Sequence, residues 1–291
     1  MKKLLLLASL TLILTGCSNS TKITSKVSDG STTIATTNNS ISITKQQIYE
    51  SLLSTYGANK VIDKSLQAIA DAEITDTSSI DQKVNDTISS YSNMLGGESG
   101  LLSYVQSSGY DSIDAYKEEV LIPKAKQTLL IQKYIDDNFS TLADTYGYSY
   151  IQYFTVSTES DALSIINSID NGESTFDDEA TKANGSVPDQ VLSYTKASSS
   201  TLDSSIAAIA KQFTTVGMYS VPVSLSNGTY AVINVKDVDR DSHKDEIETS
   251  LLSISDVTSE GEAYYLNKYN FEVYEKGIVE DIKNINENYI K

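Results

Sequence analysis

Histidine, cysteine and tryptophan are nearly missing from this chain: 291 residues hold one His, one Cys and no Trp. A single Cys excludes a disulfide framework within the chain and any thiolate metal cluster. A single His excludes a His-rich metal site and argues against imidazole-based catalysis. Positive charge is scarce as well. Lys and Arg number 22 against 39 Asp and Glu, a formal charge of −17. So acidic a balance argues against nucleic acid, whose phosphates require a basic face, and against a polybasic membrane-surface protein. The chain has no Gly-rich phosphate loop, no Gly-x-Ser-x-Gly elbow and no Asp/Asn-x-Asp-x-Asp-Gly calcium loop. Neither a nucleotide nor any other cofactor is therefore expected, nor a metal. Ser, Thr, Asn and Tyr are abundant, and 40% of residues are hydrophobic and 21% charged. That is a globular composition, long enough for roughly two domains.

The one long apolar run comes first. Lys2 and Lys3 precede Leu4–Leu14, and the run closes on Leu14-Thr15-Gly16-Cys17. A positive start, a short apolar stretch and small residues before a cleavage point read as a secretory leader, and the run is too short to span a bilayer, which takes about 20 apolar residues. Leu-Thr-Gly-Cys resembles a bacterial lipobox, in which the Cys thiol receives a diacylglyceryl group and becomes the first residue of the mature protein. Its two acyl chains suffice for stable anchoring. Loss of Lys2 and Lys3 leaves 20 Lys and Arg against 39 acids, −19. From Ser18 to Asn39 the composition is too polar to repay ordering, so a flexible stalk is expected, with a short strand at Thr33–Thr36.

Helical periodicity then takes over. Thr44-Lys45-Gln46-Gln47 fits a capping box, followed by Ile48, Leu52 and Tyr56 on one face, with Gly57 ending that helix. Further runs follow: Val61–Ala70; Val84–Leu95, stopped by Gly96-Gly97; Leu101–Val105; and, after a cap at Asp111 or Ser112, Ile113–Leu121. Pro123 falls inside the last pattern and should kink or split it, before Leu129–Ile135 continues the apolar face. Near Tyr146 the pattern changes. Tyr148–Val156 reads as a strand, Ser160 as the cap of a helix ending at Asn171-Gly172, Phe176–Ala180 as a short helix, 184–200 as loop, and Ser204–Phe213 as helix. Val221–Val223 and Tyr230–Val235 read as strands joined at Asn227-Gly228. Beyond Val238, helices are expected around Ile247–Leu252, Tyr264–Leu266 and Ile278–Ile285, with a short strand at Phe271–Val273. A small α+β unit set between helical segments is the resulting fold class.

In this order of elements, in the lipobox, and in the stretches Ile34–Tyr49, Tyr148–Ile169 and Gly217-Met218-Tyr219-Ser220-Val221-Pro222-Val223, the chain resembles the PrsA-type foldase lipoproteins of Gram-positive bacteria, relatives of the SurA-like chaperones. The resemblance implies a leader at 1–16, a tether at 17–33, a helical chaperone domain built from 34–145 and 239–291, and an inserted parvulin-type domain at 146–238. It also implies a protein lipid-anchored at Cys17 on the outer face of the cytoplasmic membrane, assisting unfolded secreted polypeptides, with a homodimer as one allowed state.

Parvulins isomerise X–Pro bonds beside two facing histidines and an acid or thiol, against an uncatalysed barrier of about 18–20 kcal/mol. Carried over residue by residue, the first histidine falls on Tyr153 and the second on Tyr230. The acid falls on Gln190, beside Asp189, and the pocket phenylalanine lies next to Phe213. The sole histidine, His243, is outside that domain and is expected in a solvated loop. These substitutions leave a degenerate proline pocket or, alternatively, plain core tyrosines, and point to a chaperone whose isomerase is weak or inactive. The alternatives are an active isomerase and, from another class, the solute-binding lipoprotein of a transporter, whose repeated βα units this chain does not display. Replacing Cys17 with Ala is expected to move the protein from the membrane to the soluble fraction and to remove the diacylglyceryl mass from the mature N-terminus. Continued membrane retention would contradict the lipobox reading.

Overall fold

The computed structural model describes residues 23–37 and 41–291, so Cys17 and the leader lie outside the described residues. In chain order the elements are β1 (Thr33–Thr37), β2 (Ile41–Thr44), α1 (Lys45–Glu73), α2 (Thr77–Leu95), α3 (Glu98–Ser107), α4 (Ile113–Tyr116), α5 (Ile122–Asp137), α6 (Phe139–Tyr146), β3 (Ser149–Val156), α7 (Glu159–Asp170), α8 (Phe176–Asn184), β4 (Val191–Ser193), α9 (Ser204–Ala208), β5 (Gly217–Met218), β6 (Val223–Ser224), β7 (Tyr230–Asp237), α10 (Lys244–Leu252), α11 (Ser255–Lys268) and α12 (Lys276–Ile285). This is the expected α+β class. The chain divides into two compact units. One runs up to Leu66 and includes Leu266–Lys291; the other is Gln67–Tyr265.

In the first unit β1 and β2 form an antiparallel hairpin that runs straight into α1. The junction is the capping box: the Thr44 amide donates to Gln47 Oε1 at 2.8 Å, and the Gln47 amide returns to Thr44 Oγ1 at 3.3 Å. Gly57 does not end the helix; α1 continues unbroken to Glu73. The glycine serves close packing instead, since a Cβ there would lie 3.1 Å from Ile278 Cδ1 on α12. On α12 the buried residues Ile278 and Ile282 are four apart, while Glu280 and Lys283 stay exposed, the spacing of a one-sided helix. Phe271–Val273 forms no strand: the Phe271 amide is taken by the Leu266 carbonyl at the end of α11.

The polar stretch ahead of β1 is held rather than loose from Ile23 onward. Glu275 accepts the backbone amides of Thr24 and Ser25 at 3.0 and 2.8 Å, together with both hydroxyls. Gln46 accepts the Val27 amide and donates to the Ser25 carbonyl, and Lys45 reaches the Ser28 carbonyl. Composition alone predicts a stalk here, because the partner that orders it lies some 250 residues away.

The second unit begins with helices, the end of α1 followed by α2 to α6. Asp76 caps α2 by accepting from Ser78 and Ser79, and Gly96, at φ 83°, closes it. Ser112 caps α4. At Pro123 the helical run changes type rather than ending. The chain widens just ahead of it into one π turn, Lys117–Leu121, with the Ile122 amide on the Lys117 carbonyl, and α5 starts with the proline in its first turn. A π turn absorbs the missing N–H and the ring's clash with the preceding turn. The apolar stripe of α5 (Ile131, Ile135) meets Phe139, Leu142, Tyr146, Tyr148, Ile247 and Leu251 in one buried cluster.

The sheet follows in the order β4-β3-β7-β5, with β6 also paired to β7 and every pairing antiparallel. Three local expectations shift. Thr158, not Ser160, caps α7, accepting from the Asp161 amide at 3.1 Å. The stretch 184–200 contains β4, which pairs Ser149–Ile151 with Val191–Ser193. Val221 and Pro222 stand outside β6, which is only Val223–Ser224, as a residue without N–H cannot donate to the ladder. Because Glu275 is drawn down to about 2, first by its hydrogen bond from Ser25, the clamp on Thr24 and Ser25 is complete above the ordinary carboxyl range and lost as pH falls towards 2. The protection factor of the Thr24 and Ser25 amides, taken against the intrinsic rate at each pH, is therefore expected to persist at pH 4 and to fall towards pH 2. Glu275→Ala is expected to remove the protection at every pH, whereas unchanged protection in that variant would contradict the clamp.

Candidate functional site

Strands β3 and β7 are buried on both faces, so the alternation of side chains decides what can meet. Odd-numbered Ile151 on β3 and Ala231, Ile233 and Val235 on β7 face one cluster, closed by Leu202, Ile206 and Phe213. Even-numbered Phe154 and Val232 face the other, with Ala162, Ile166 and Phe176. Tyr153 packs on the first cluster and Tyr230 on the second. The two tyrosines expected at the histidine positions are thus on opposite sides of the sheet. The residue paired with Tyr153 across the ladder is Ile233, and the partner of Tyr230 is Val156.

Phe213 lies on the Tyr153 side, 2% exposed, as core. Gln190 and Asp189 are exposed at the entrance to β4. What does gather near Phe213 is Tyr219, its ring edge-on at 5.2 Å and its hydroxyl donating to Gln212 Oε1. No local periodicity links Tyr219 to Phe213, so the sequence pattern does not mark it as a neighbour. This face therefore offers aromatic surface and phenol hydroxyls. His243 is no solvated loop residue either. It closes a short 3₁₀ turn before α10, with Nε2 2.9 Å from Asp237 Oδ2 and its ring 4.3 Å from that of Tyr150. That hydrogen bond holds Asp237 below the usual carboxylate range. Tyr150 donates to Glu246, and burial first, then this carboxylate, pushes its phenol up. The cluster ties the end of β7 to α10. Among the described residues no group of three or more His, Cys, Asp or Glu could hold a metal ion.

The surface with most exposed apolar character in this unit is on the helices. Tyr91, Tyr104, Tyr116 and Tyr110 form a chain of edge-to-face rings, with centroids 6.3, 6.3 and 5.2 Å apart, a geometry that aromatic quadrupoles favour. Burial, followed by the neighbouring phenols, pushes Tyr116 up to about 12, so its phenol remains neutral near pH 7. On α2 and α3 Met94 is 62% exposed, and Leu95, Leu102 and Tyr104 are exposed as well. Elsewhere on the unit a cleft of about 360 Å³ is lined by Glu73, Asp76, Asp136, Glu248, Gln132 and Lys133, among others. Burial raises Glu248 above the usual carboxylate range. Neither feature stands out in the sequence, because helical periodicity marks apolar positions without telling which of them stay open.

Comparison with known proteins gives first a class and then a particular likeness. Residues 1–18 match the prokaryotic membrane lipoprotein lipid attachment site, which makes the chain a membrane lipoprotein by its N-terminus. The fold is that of a solved peptidylprolyl isomerase, PrsA from Bacillus cereus, with a TM-score of 0.52 at 16% identity over 88% of this chain and 99% of that one. The foldase protein PrsA from Streptococcus pneumoniae aligns at 15% identity over 89% of this chain and 100% of the other, with a TM-score of 0.39. PrsA from Bacillus subtilis aligns at 18% identity over 88% and 99%, with a TM-score of 0.38. No curated protein sequence matches the chain. With Tyr153 and Tyr230 on opposite faces, the double substitution Tyr153→His/Tyr230→His is expected to leave the isomerisation of a proline-containing tetrapeptide at the wild-type rate. Acceleration in that variant would contradict the facial assignment.

Proposed function

We propose that this is a membrane-anchored extracytoplasmic foldase of the PrsA type, acting on secreted polypeptides that arrive unfolded at the outer face of the cytoplasmic membrane of a Gram-positive bacterium, with an isomerase domain that is weak or inactive. The pairing of a lipid attachment site with the PrsA fold over most of the chain carries this reading. The sheet supports the second half of it. A catalyst of X–Pro rotation must desolvate the amide and stabilise its twisted state with groups already in place, and Tyr153 faces Ile233 rather than a polar partner.

Client contact is assigned to α2 and α3, where Met94, Leu95, Leu102 and Tyr104 are exposed. Rigid tyrosines give contact area at low entropic cost, and an exposed methionine adapts to varied side chains. Contacts of this kind are weak and sequence-tolerant, which suits release without a nucleotide. The acidic cleft and the strongly negative charge favour basic client segments and keep loaded molecules apart.

The test is suppression of aggregation of a reduced, unfolded secretory protein, run alongside the tetrapeptide isomerisation assay. The wild-type chain is expected to suppress aggregation without accelerating isomerisation. Met94→Asp/Leu102→Asp, at two exposed positions, is expected to require about tenfold more protein for the same protection, equivalent to about 1.4 kcal/mol, with an unchanged circular dichroism melt. No protection by the wild type would overturn the foldase reading, and efficient isomerisation would overturn the assignment of a weak or inactive sheet.

A further inference from the structure

We propose that the first unit seats on the lipid surface to which the chain is moored, through the apolar side chains left exposed on its hairpin and on the opening turns of α1. The leash is short. The lipid attachment site ends at residue 18 and contains Cys17, while the clamp of Glu275 on Thr24 and Ser25 returns the chain to the fold. Thr24 is seven positions on from Cys17, and a fully extended chain spans at most about 3.3–3.6 Å per residue, so the clamp lies within about 25 Å of the acylated residue. A stalk running loose to residue 33 would have more than twice that reach.

The hairpin that follows the clamp in the same unit has no covering layer. Every residue of β1 is exposed, as are all but the last of β2, and an isolated two-stranded hairpin is marginally stable in water. Ile34, Ile41 and Ile43 are 59%, 65% and 36% exposed. On α1, directly after the capping box, Ile48, Leu52 and Tyr56 recur at four-residue spacing and are 44%, 53% and 42% exposed. The row that periodicity assigns to a core is thus the row left open. From Ser31 to Thr44 the sequence has no charged residue, which suits insertion at a lipid headgroup boundary, where apolar faces enter by about 5–10 Å.

Charge selects the same unit. Residues 18–66 and 266–291 together hold nine Lys against eight Asp and Glu, whereas residues 67–265 hold 11 Lys and Arg against 31 acids. The whole-chain charge, which argues against an anionic surface, therefore resides almost entirely in the second unit. The unit carrying the leash is close to neutral and places Lys26 and Lys45 beside the clamp and the capping box. An anionic bilayer would not repel it and would repel the rest of the chain. The lipid surface is the occupant that fits both the length of the leash and this partition. The inference rests on lipidation at Cys17 and is independent of foldase activity.

The absence of Trp makes a direct test available. Full-length lipidated protein carrying Leu52→Trp or Ile41→Trp is reconstituted into phosphatidylglycerol-containing vesicles, with and without acyl-chain-brominated lipid. Leu163→Trp, at an exposed position of the second unit, serves as reference. At the insertion depth above, about half or more of the Leu52→Trp and Ile41→Trp emission is expected to be quenched by brominated lipid, with little loss for Leu163→Trp. Equal quenching at all three positions would overturn the proposal. So would a blue shift at Leu52→Trp that grows with protein density but is insensitive to bromine, which would assign the face to a second copy of the chain. Either result leaves the aggregation assay unaffected, so failure here and failure of the foldase reading are distinguishable.

Discussion

The antiparallel ladder between β3 and β7 constrains everything that can be said of the sheet's chemistry. Seven residue pairs, from Tyr150–Asp237 to Val156–Tyr230, fix the register, and both faces are closed by buried clusters. In such a ladder a side chain cannot change sides without a one-residue slip that would move every neighbour to the wrong face. With Phe154 and Val232 buried on one side and Ile151 and Ile233 on the other, each worth about 1.5–3 kcal/mol of burial, such a slip is prohibitively unfavourable. The sheet is therefore an apolar frame closed on both faces.

Where local chemistry decides structure, the sequence is easy to read. Thr44 and Gln47 announce the start of α1, Gly96 the end of α2, and Ser112 the start of α4. The strand at Ser149–Val156 and the turn at Asn227-Gly228 follow from β-formers and turn residues. Misreadings arise where a distant partner decides. Gly57 looks like a terminator until α12 lies against it. Val191–Ser193 looks like loop until it borrows the ladder of β3. Thr24 and Ser25 look like stalk until Glu275 accepts their amides.

The site is legible only in part, and for a related reason. The resemblance carries the second histidine onto Tyr230, yet a shift of one residue changes the face of the strand. Ala231, the next residue, is the one that shares a face with Tyr153. The helical aromatics are visible as periodic apolar positions, but amphipathicity cannot distinguish a face that meets a neighbour from one that meets solvent. Composition also averages over the chain. A total of −17 conceals one near-neutral unit and one intensely acidic unit, and it is the difference between them, not the sum, that bears on surfaces and partners.

If unfolded polypeptide is held on the helical face of α2 and α3, and the sheet takes no part, the contact should be visible along the backbone. Amide hydrogen exchange of the full chain, with and without a permanently unfolded secretory protein, tests this most directly. Added protection is predicted in α2 and α3 alone, around Tyr91 to Tyr104, with no change in β3, β7 or the segment from Phe213 to Tyr219. Protection centred on Phe213 and Tyr219, with α2 and α3 unaffected, would contradict it.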